Sequence, residues 1–463
     1  MTRVDELQKK YPSLPREIIL KWDVLRHGVQ DTEVIDRTGH WQRVGYGGYQ
    51  SHDHDLSLKQ VAEQRPERVK PNYRLRTSPF YMRNGLGVRV ELDRSSPYNF
   101  REIADNQYAI FEGEEKVEDI YFPFYKSQTS EEFFTSKGTP LSTLINSWRR
   151  CFQIAPIRFC EFFTRGEECK FCNYNSTHEA ARAIGQGTAV TTDLDDTLEA
   201  YKILSSNVRL IEGRFQNGAF RNPEQEGELH VRFVEKIASA ASYTPNICYS
   251  TTPLSRKNLQ RLKDAGVTCV NSNKEVWDPE VFAEVCPGKA KYRGHERYLE
   301  FYQEAVDILG TGNVACVLPA GVSVIPDNGH KTWQESRDSL VEGARWLIKH
   351  GALPVFLALR LVPGSKYGDD KSNKEKLPPT EYLLDAGLAH HKAMLEFGLY
   401  DKLNKLMFCP MDCLWALYGG EIGILERAGN PGNWLAGTIP DDGNWLASFV
   451  SSVESLPAVN QEG

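Results

Sequence analysis

The sequence predicts an α/β protein organised round a partial (β/α)6 barrel of the TIM type, with a β-rich N-terminal unit and a C-terminal cap. Three observations predict it. From about residue 150, apolar runs alternate with longer helical patterns, the texture of parallel strands joined by helices. Before that point the chain is rich in Tyr, Gly and short alternating runs, as hairpins are. After residue 400 comes a tail containing Gly and Trp, placed to fold back over the open side of the barrel. The expected divisions are therefore an accessory α+β unit over 1–150, the barrel over 151–400 and the cap over 401–463.

The whole chain supports this scale. Its 463 residues, 40% apolar and 25% charged, suffice for a large core in two or three units. No run of eighteen apolar residues occurs, and the charged start MTRVDELQKK has no apolar h-region, so neither a membrane span nor a secretory signal is expected. The compartment expected is the cytosol. A net charge of −7 gives no global field for attracting phosphate backbones, so nucleic acid is not expected as the main partner. Ten cysteines in such a chain point to buried thiols plus a metal or catalytic set, not a disulfide framework.

In the N-terminal unit, Val88, Val90 and Leu92 follow Asn84-Gly85, and Tyr108 and Ile110 follow Asp105-Asn106. Asn-Gly suits the positive φ angles of a tight turn, and period two suits a half-buried strand. His52 and His54, in SHDHD, read as a solvated loop and not as metal ligands. The barrel strands are expected at 153–159, 207–213, 246–253, 267–276, 313–321 and 354–363. Between them lie helical patterns such as SRKNLQRLKDAG and TWQESRDSLVEGARWLIKHG, with Ser or Thr at the start and Gly past the end.

Within this plan RFCEFFTRGEECKFCNY places Cys160 at the end of the first strand and Cys169 and Cys172 in the loop after it, the face where barrel enzymes keep their chemistry. A structural zinc site normally closes with four ligands, so three clustered thiolates either recruit a distant fourth or leave a coordination position open. Cys151 is the nearest candidate. It precedes the expected strand, which at about 3.3 Å per residue puts it roughly 25 to 30 Å from Cys160. Three thiolates on a [4Fe–4S] cluster leave one iron free for an outside ligand. A zinc knuckle or three incidental thiols are the other readings.

A loop after the first barrel strand ending Cys169-Lys170-Phe171-Cys172 resembles the cluster loop of the radical S-adenosylmethionine (SAM) enzymes. Their commonest spacing is C-x3-C-x2-C, whereas here the first gap holds eight residues. The resemblance covers about residues 150 to 380. It implies an oxygen-sensitive [4Fe–4S] cluster held by Cys160, Cys169 and Cys172, with SAM chelated on the open iron and cleaved reductively to methionine and a 5′-deoxyadenosyl radical. It also implies a reductant such as flavodoxin or ferredoxin, and hydrogen abstraction from a small-molecule substrate. Phe171 would pack near the cluster and adenine. Glu212-Gly213 is a looser match to the Gly-Gly-Glu type segment that receives the SAM amino group.

Other residues complete the expected site. Asn271, Asn273 and Glu275 alternate, so all three should project to one side of the fourth strand: toward the barrel interior, where ribose or the methionine carboxylate would partner them, or outward to the helices. That stretch resembles the biotin-synthase-like and hydrogenase-cofactor-maturase-like branches. Arg360, in an otherwise apolar strand, wants a carboxylate, either from SAM or substrate or from a barrel salt bridge. Lys289 and Arg293 are candidates for a substrate anion or are simply solvated. Cys409 and Cys413, in the tail, read as buried thiols, with an auxiliary cluster or a hydrogen donor as alternatives. No sequence signal for a cobalamin-binding domain is present. Sulfur or methyl transfer to a peptide or RNA, and a non-catalytic iron–sulfur or zinc protein, remain the rival functions.

Overall fold

The computed structural model describes residues 1–30, 34, 41–43, 63, 75–77, 80–82, 86–105, 107–122, 133–148, 151–175, 178, 189–207, 210, 212–240 and 246–402. Asn84-Gly85, His52, His54, Cys409, Cys413 and the whole expected cap except its first two residues lie outside them.

The chain opens with helices α1 (Arg3–Lys10) and α2 (Arg16–His27). A capping box starts α1, Thr2 and Asp5 satisfying each other's backbone N–H groups. Two short strands, β1 (Trp41–Arg43) and β2 (Leu75–Thr77), pair with each other. A five-stranded antiparallel sheet then follows, built from β3 (Phe80–Met82), β4 (Gly87–Val88), β5 (Tyr98–Ala104), β6 (Gln107–Glu112) and β7 (Glu115–Tyr121) in the order β4-β3-β7-β6-β5. The hairpins expected on either side of Asn84-Gly85 and at Asp105-Asn106 are present as Phe80 opposite Val88 and Glu102 opposite Tyr108. The next tight turn places Gly113 at φ 57°, where a side chain would be strained.

The second sheet has seven strands: β8 (Ile145–Trp148), β9 (Cys151–Ile154), β10 (Glu212–Phe215), β11 (Asn246–Ser250), β12 (Val267–Asn271), β13 (Val314–Ala320) and β14 (Leu353–Ala358). β8 is antiparallel to β9, and β9 to β14 run parallel in sequential order. Helices connect them: α3 (Leu194–Asn207), α4 (Pro223–Ala240), α5 (Arg256–Asp264), α6 (Pro279–Val285), α7 (Pro287–Tyr292), α8 (His295–Leu309) and α9 (Trp333–Lys349), with α10 (Thr380–Glu396) after the last strand. Parallel crossovers are right-handed, so stepping always the same way places every connecting helix on one face. The other face is left as the concave side of an open, partial barrel whose edges, β8 and β14, do not meet.

Burial follows this layering. Along β13, Val314, Cys316 and Leu318 join the large core shared with the helices, while Ala315 and Val317 belong to a small second cluster with Cys248, Cys269 and Val355. That alternation is the pleat of a strand covered on both faces. The N-terminal unit is packed onto the barrel by α2: the Trp22 ring occupies the space a side chain at Gly387 of α10 would need, 1.9 Å from an added Cβ. Asp23, fully buried, accepts from Arg3 at 3.2 Å and from the hydroxyls of Tyr98 and Thr380, joining α1, β5 and α10.

All six expected parallel strands exist, but their boundaries differ. The first strand begins at Cys151 and ends before Ala155-Pro156, because Pro156 has no N–H to offer a ladder. The second begins at Glu212 instead of ending near it; residue 207 still belongs to α3, and 208, 209 and 211 lie outside the described residues. The fourth ends at Asn271, so Asn273 and Glu275 stand in the loop beyond it, and the last ends at Ala358, which leaves Arg360 past its C-terminal end. Among the described residues no helix is long and apolar enough to cross a membrane.

Candidate cluster and cofactor site

After β9 the chain crosses the C-terminal mouth of the barrel and turns at Cys160 into a 3-10 helix, Glu161–Arg165, which Gly166 ends in the left-handed region at φ 67°. Phe162, buried, anchors this turn by stacking on Tyr292 of α7 at 5.6 Å. Cys172 N–H donates to Cys169 O at 2.9 Å, which closes the second turn of the loop, and Tyr174 N–H donates to the Cys172 sulfur at 3.4 Å. Asn175 clamps the loop shut: its Oδ1 accepts from Cys160 N–H at 3.0 Å and its Nδ2 donates to Cys160 O at 3.3 Å. Gly218, just past β10, lets the cysteine backbone pass close by, since an added Cβ there would lie 2.8 Å from Cys160 N.

The three thiols sense one another. Burial pushes Cys160 up to about 12 and Cys172 well above the usual thiol range, and the charge of Cys169 raises both further. Cys169 is lowered, chiefly by a hydrogen bond from the Cys286 thiol, against the effect of its own burial. Cys286 was not singled out by its sequence position. Two backbone bonds bring it here, Lys170 N–H to Val285 O at 2.9 Å and Gly288 N–H to Glu167 O at 2.8 Å, pairing the cysteine loop with the junction of α6 and α7. The other unassigned thiols, Cys248, Cys269 and Cys316, lie in β11, β12 and β13.

Beside the thiols stands a buried ion pair. Lys289 Nζ donates to Glu275 Oε1 and to Asn273 O, both at 2.6 Å. Against the penalty of burial, Glu275 raises Lys289 well above its ordinary value, so the ammonium stays charged. Its charge is felt by Cys160, Cys169 and Cys286. Glu275 is the one non-glycine among the described residues with positive φ, 74°, a conformation that costs about 1–3 kcal/mol and persists where the surroundings over-determine it. Asn271 and Asn273 each keep a buried side-chain oxygen with no hydrogen-bond partner. Lys274, between Asn273 and Glu275, points the other way, its ammonium over the rings of Trp277 and Phe282.

The remaining expected residues separate. Phe171 is half-buried and packs against the main core. Glu212 and Gly213 stand at the opposite end of the barrel, since Glu212 is level with Cys151, the first residue of β9. Gly213 there makes room for the Phe152 ring, 2.3 Å from an added Cβ. Past the end of β10, Asn217 accepts from Ile157 N–H at 3.1 Å and donates to Ser250 O at 2.9 Å. Arg293 is neither solvated nor free for an anion: its guanidinium is buried against Glu226 at 3.1 Å, Thr252 Oγ1 at 2.8 Å and the carbonyls of Phe220, Arg221 and Tyr292. Arg360 reaches α2 and donates to Arg26 O at 3.3 Å.

Comparison with solved structures gives distant likenesses. Methylornithine synthase (PylB) overlaps 51% of this chain and 62% of its own, at 14% identity and a TM-score of 0.37. HydG, a maturase of the [FeFe]-hydrogenase, overlaps 52% and 48%, at 12% and 0.36. Coproporphyrinogen III oxidase (HemN) from Escherichia coli, described as a radical SAM enzyme, overlaps 54% and 53%, at 14% and 0.35. In each case the chain spans less than two thirds of the relative's length. No family model matches the sequence, and no curated protein does. With overlap this partial, the reading of the site rests on its own residues.

The donor set is three thiols on one loop, and a three-cysteine iron–sulfur cluster takes such a set with each thiolate on a different iron. Soft thiolates in a buried loop suit iron, and binding would relieve the cost of holding them charged.

Proposed function

We propose that the chain is a radical SAM enzyme acting on a small molecule by hydrogen abstraction. The observation that carries the reading is the trio Cys160, Cys169 and Cys172 on one clamped loop at the barrel mouth, bordered by buried oxygen atoms without partners. When bound, a three-cysteine [4Fe–4S] cluster supplies the electron that cleaves SAM reductively, and a one-electron donor of the flavodoxin or ferredoxin kind would replenish it.

The chain's own residues would do the rest. Cys160, Cys169 and Cys172 hold the cluster, Asn175 fixes the first of them, and Phe171 helps keep water from the loop. The unpartnered oxygens of Asn271 and Asn273 are acceptors, suited to the ammonium or ribose hydroxyls of SAM. Glu275, held by Lys289, keeps the loop after β12 in its strained course, which aims both asparagines across the mouth. The residues expected at Glu212 and Gly213 take no part in this assignment.

The test is anaerobic reconstitution with iron and sulfide. About four irons per chain are expected, together with 5′-deoxyadenosine formation from SAM under strong reductant, both lost when the three cysteines become Ala. Stoichiometric zinc without iron, or a cluster whose EPR spectrum ignores SAM, would refute the proposal.

A further inference from the structure

Where the N-terminal unit meets the barrel mouth lies a cavity of about 260 Å³. Its wall is made by the end of α2, the turn Glu91–Ser95, the segment after β14 and the residues around Lys371. Five cationic side chains line it against three carboxylates, in a chain whose net charge is −7. The carboxylates are already engaged: Glu91 with Arg89, Asp93 with Lys374 at 3.2 Å, and Asp370 with Ser372.

Arg26 and Arg360 are not matched by a carboxylate. Arg26 donates only to the carbonyls of Pro378 at 2.6 Å and Leu377 at 3.3 Å, and Arg360 donates a single bond to Arg26 O. Neither has a carboxylate within ion-pair distance among the described residues. They stand close enough that burial and then the Arg360 charge bring Arg26 down to about 10. Two neighbouring guanidiniums in a half-buried cavity repel, and an anion between them would reverse that cost. Their planar forks match the oxygen pairs of carboxylates and phosphates.

The cavity adjoins the cysteine loop. Pro363, in its wall, accepts from Asn173 Nδ2 at 3.4 Å, and Tyr367 N–H donates to Lys170 O at 2.9 Å. We propose that this cavity seats the carboxylate or phosphate group of a small organic anion on Arg26 and Arg360, so that the N-terminal unit supplies part of the substrate site. Calling that anion the substrate rests on the proposed function; the binding itself does not.

The test uses the full-length chain without iron, titrated calorimetrically with succinate and separately with inorganic phosphate at constant ionic strength. Saturable binding of either is expected, and which of the two binds more tightly identifies the anion class. Arg360→Gln should weaken it by about tenfold or more, the loss of a charge-assisted bond, and Arg360→Lys by less, since it keeps the charge without the fork. Circular dichroism checks that each variant is folded. No saturable binding of either anion to the wild type, or unchanged binding in folded Arg360→Gln, overturns the proposal. Because no cluster is present, failure of the iron or SAM assays leaves this result standing, and the converse also holds.

Discussion

Two neighbouring polar residues, Asn273 and Glu275, have opposite standing in the folded chain. Glu275 is half of a buried ion pair, and removing one member of such a pair costs about 3–5 kcal/mol because the other charge is left unpaired. Asn273 has a buried oxygen that nothing satisfies, so its loss should cost the fold little. Asn273→Ala is therefore expected to unfold in urea near the wild-type midpoint while weakening SAM binding by about 1–3 kcal/mol. Glu275→Ala should lower the midpoint clearly. If Asn273→Ala is as unstable as Glu275→Ala and binds SAM normally, its oxygen does not face the cofactor. The three cysteines could be picked out together because they share one short stretch of sequence. Cys286 and Asn175 could not, since only the fold sets them beside that stretch, and Lys289, read as a candidate for a substrate anion, is instead paired with Glu275.

Strand existence was also legible, because each parallel strand is an apolar run between turn residues. Strand ends were less so. Pro156 cut the first strand short, and the polar texture of Arg214 and Gln216 hid the second, whose usable signal was its position in register with β9. That register separates two glycines on the same stretch. An Ala at Gly213 would press on the Phe152 ring, far from the cysteines, whereas an Ala at Gly218 would press on the backbone of Phe159 and Cys160, which cannot rotate away. Both substitutions should destabilise by about 1–3 kcal/mol through overpacking. Only Gly218→Ala should also lower the iron retained per chain after anaerobic reconstitution. Equal iron loss in the two variants would mean that the end of β10 does not position Cys160.

Across the whole molecule, stability should depend on acid through histidines held neutral in three places. Burial lowers His27, at the α2 junction, to about 4, His230, between α4 and β11, to about 4, and His390, on α10, to about 3. A histidine with a folded value below its unfolded value of about 6.5 binds its proton more readily when the chain is open. Its stabilisation is therefore complete above about pH 6.5 and is lost as pH falls toward the folded value. For His230 alone, going from pH 7 to pH 5 should remove about 2 kcal/mol. Glu112 and Glu118, whose carboxyls burial raises, act in the opposite sense, so the decisive measurement is a difference between chains. The His230 ring lies 4.7 Å from that of Tyr249, and its Nδ1 is 3.3 Å from Thr251 Oγ1. His230→Gln offers a polar group there without a titrating one. The variant will start less stable at pH 7, yet its urea midpoint should fall less between pH 7 and pH 5 than that of the wild type. Parallel falls would show that His230 takes up its proton within the folded protein and that the layer between α4 and β11 admits water.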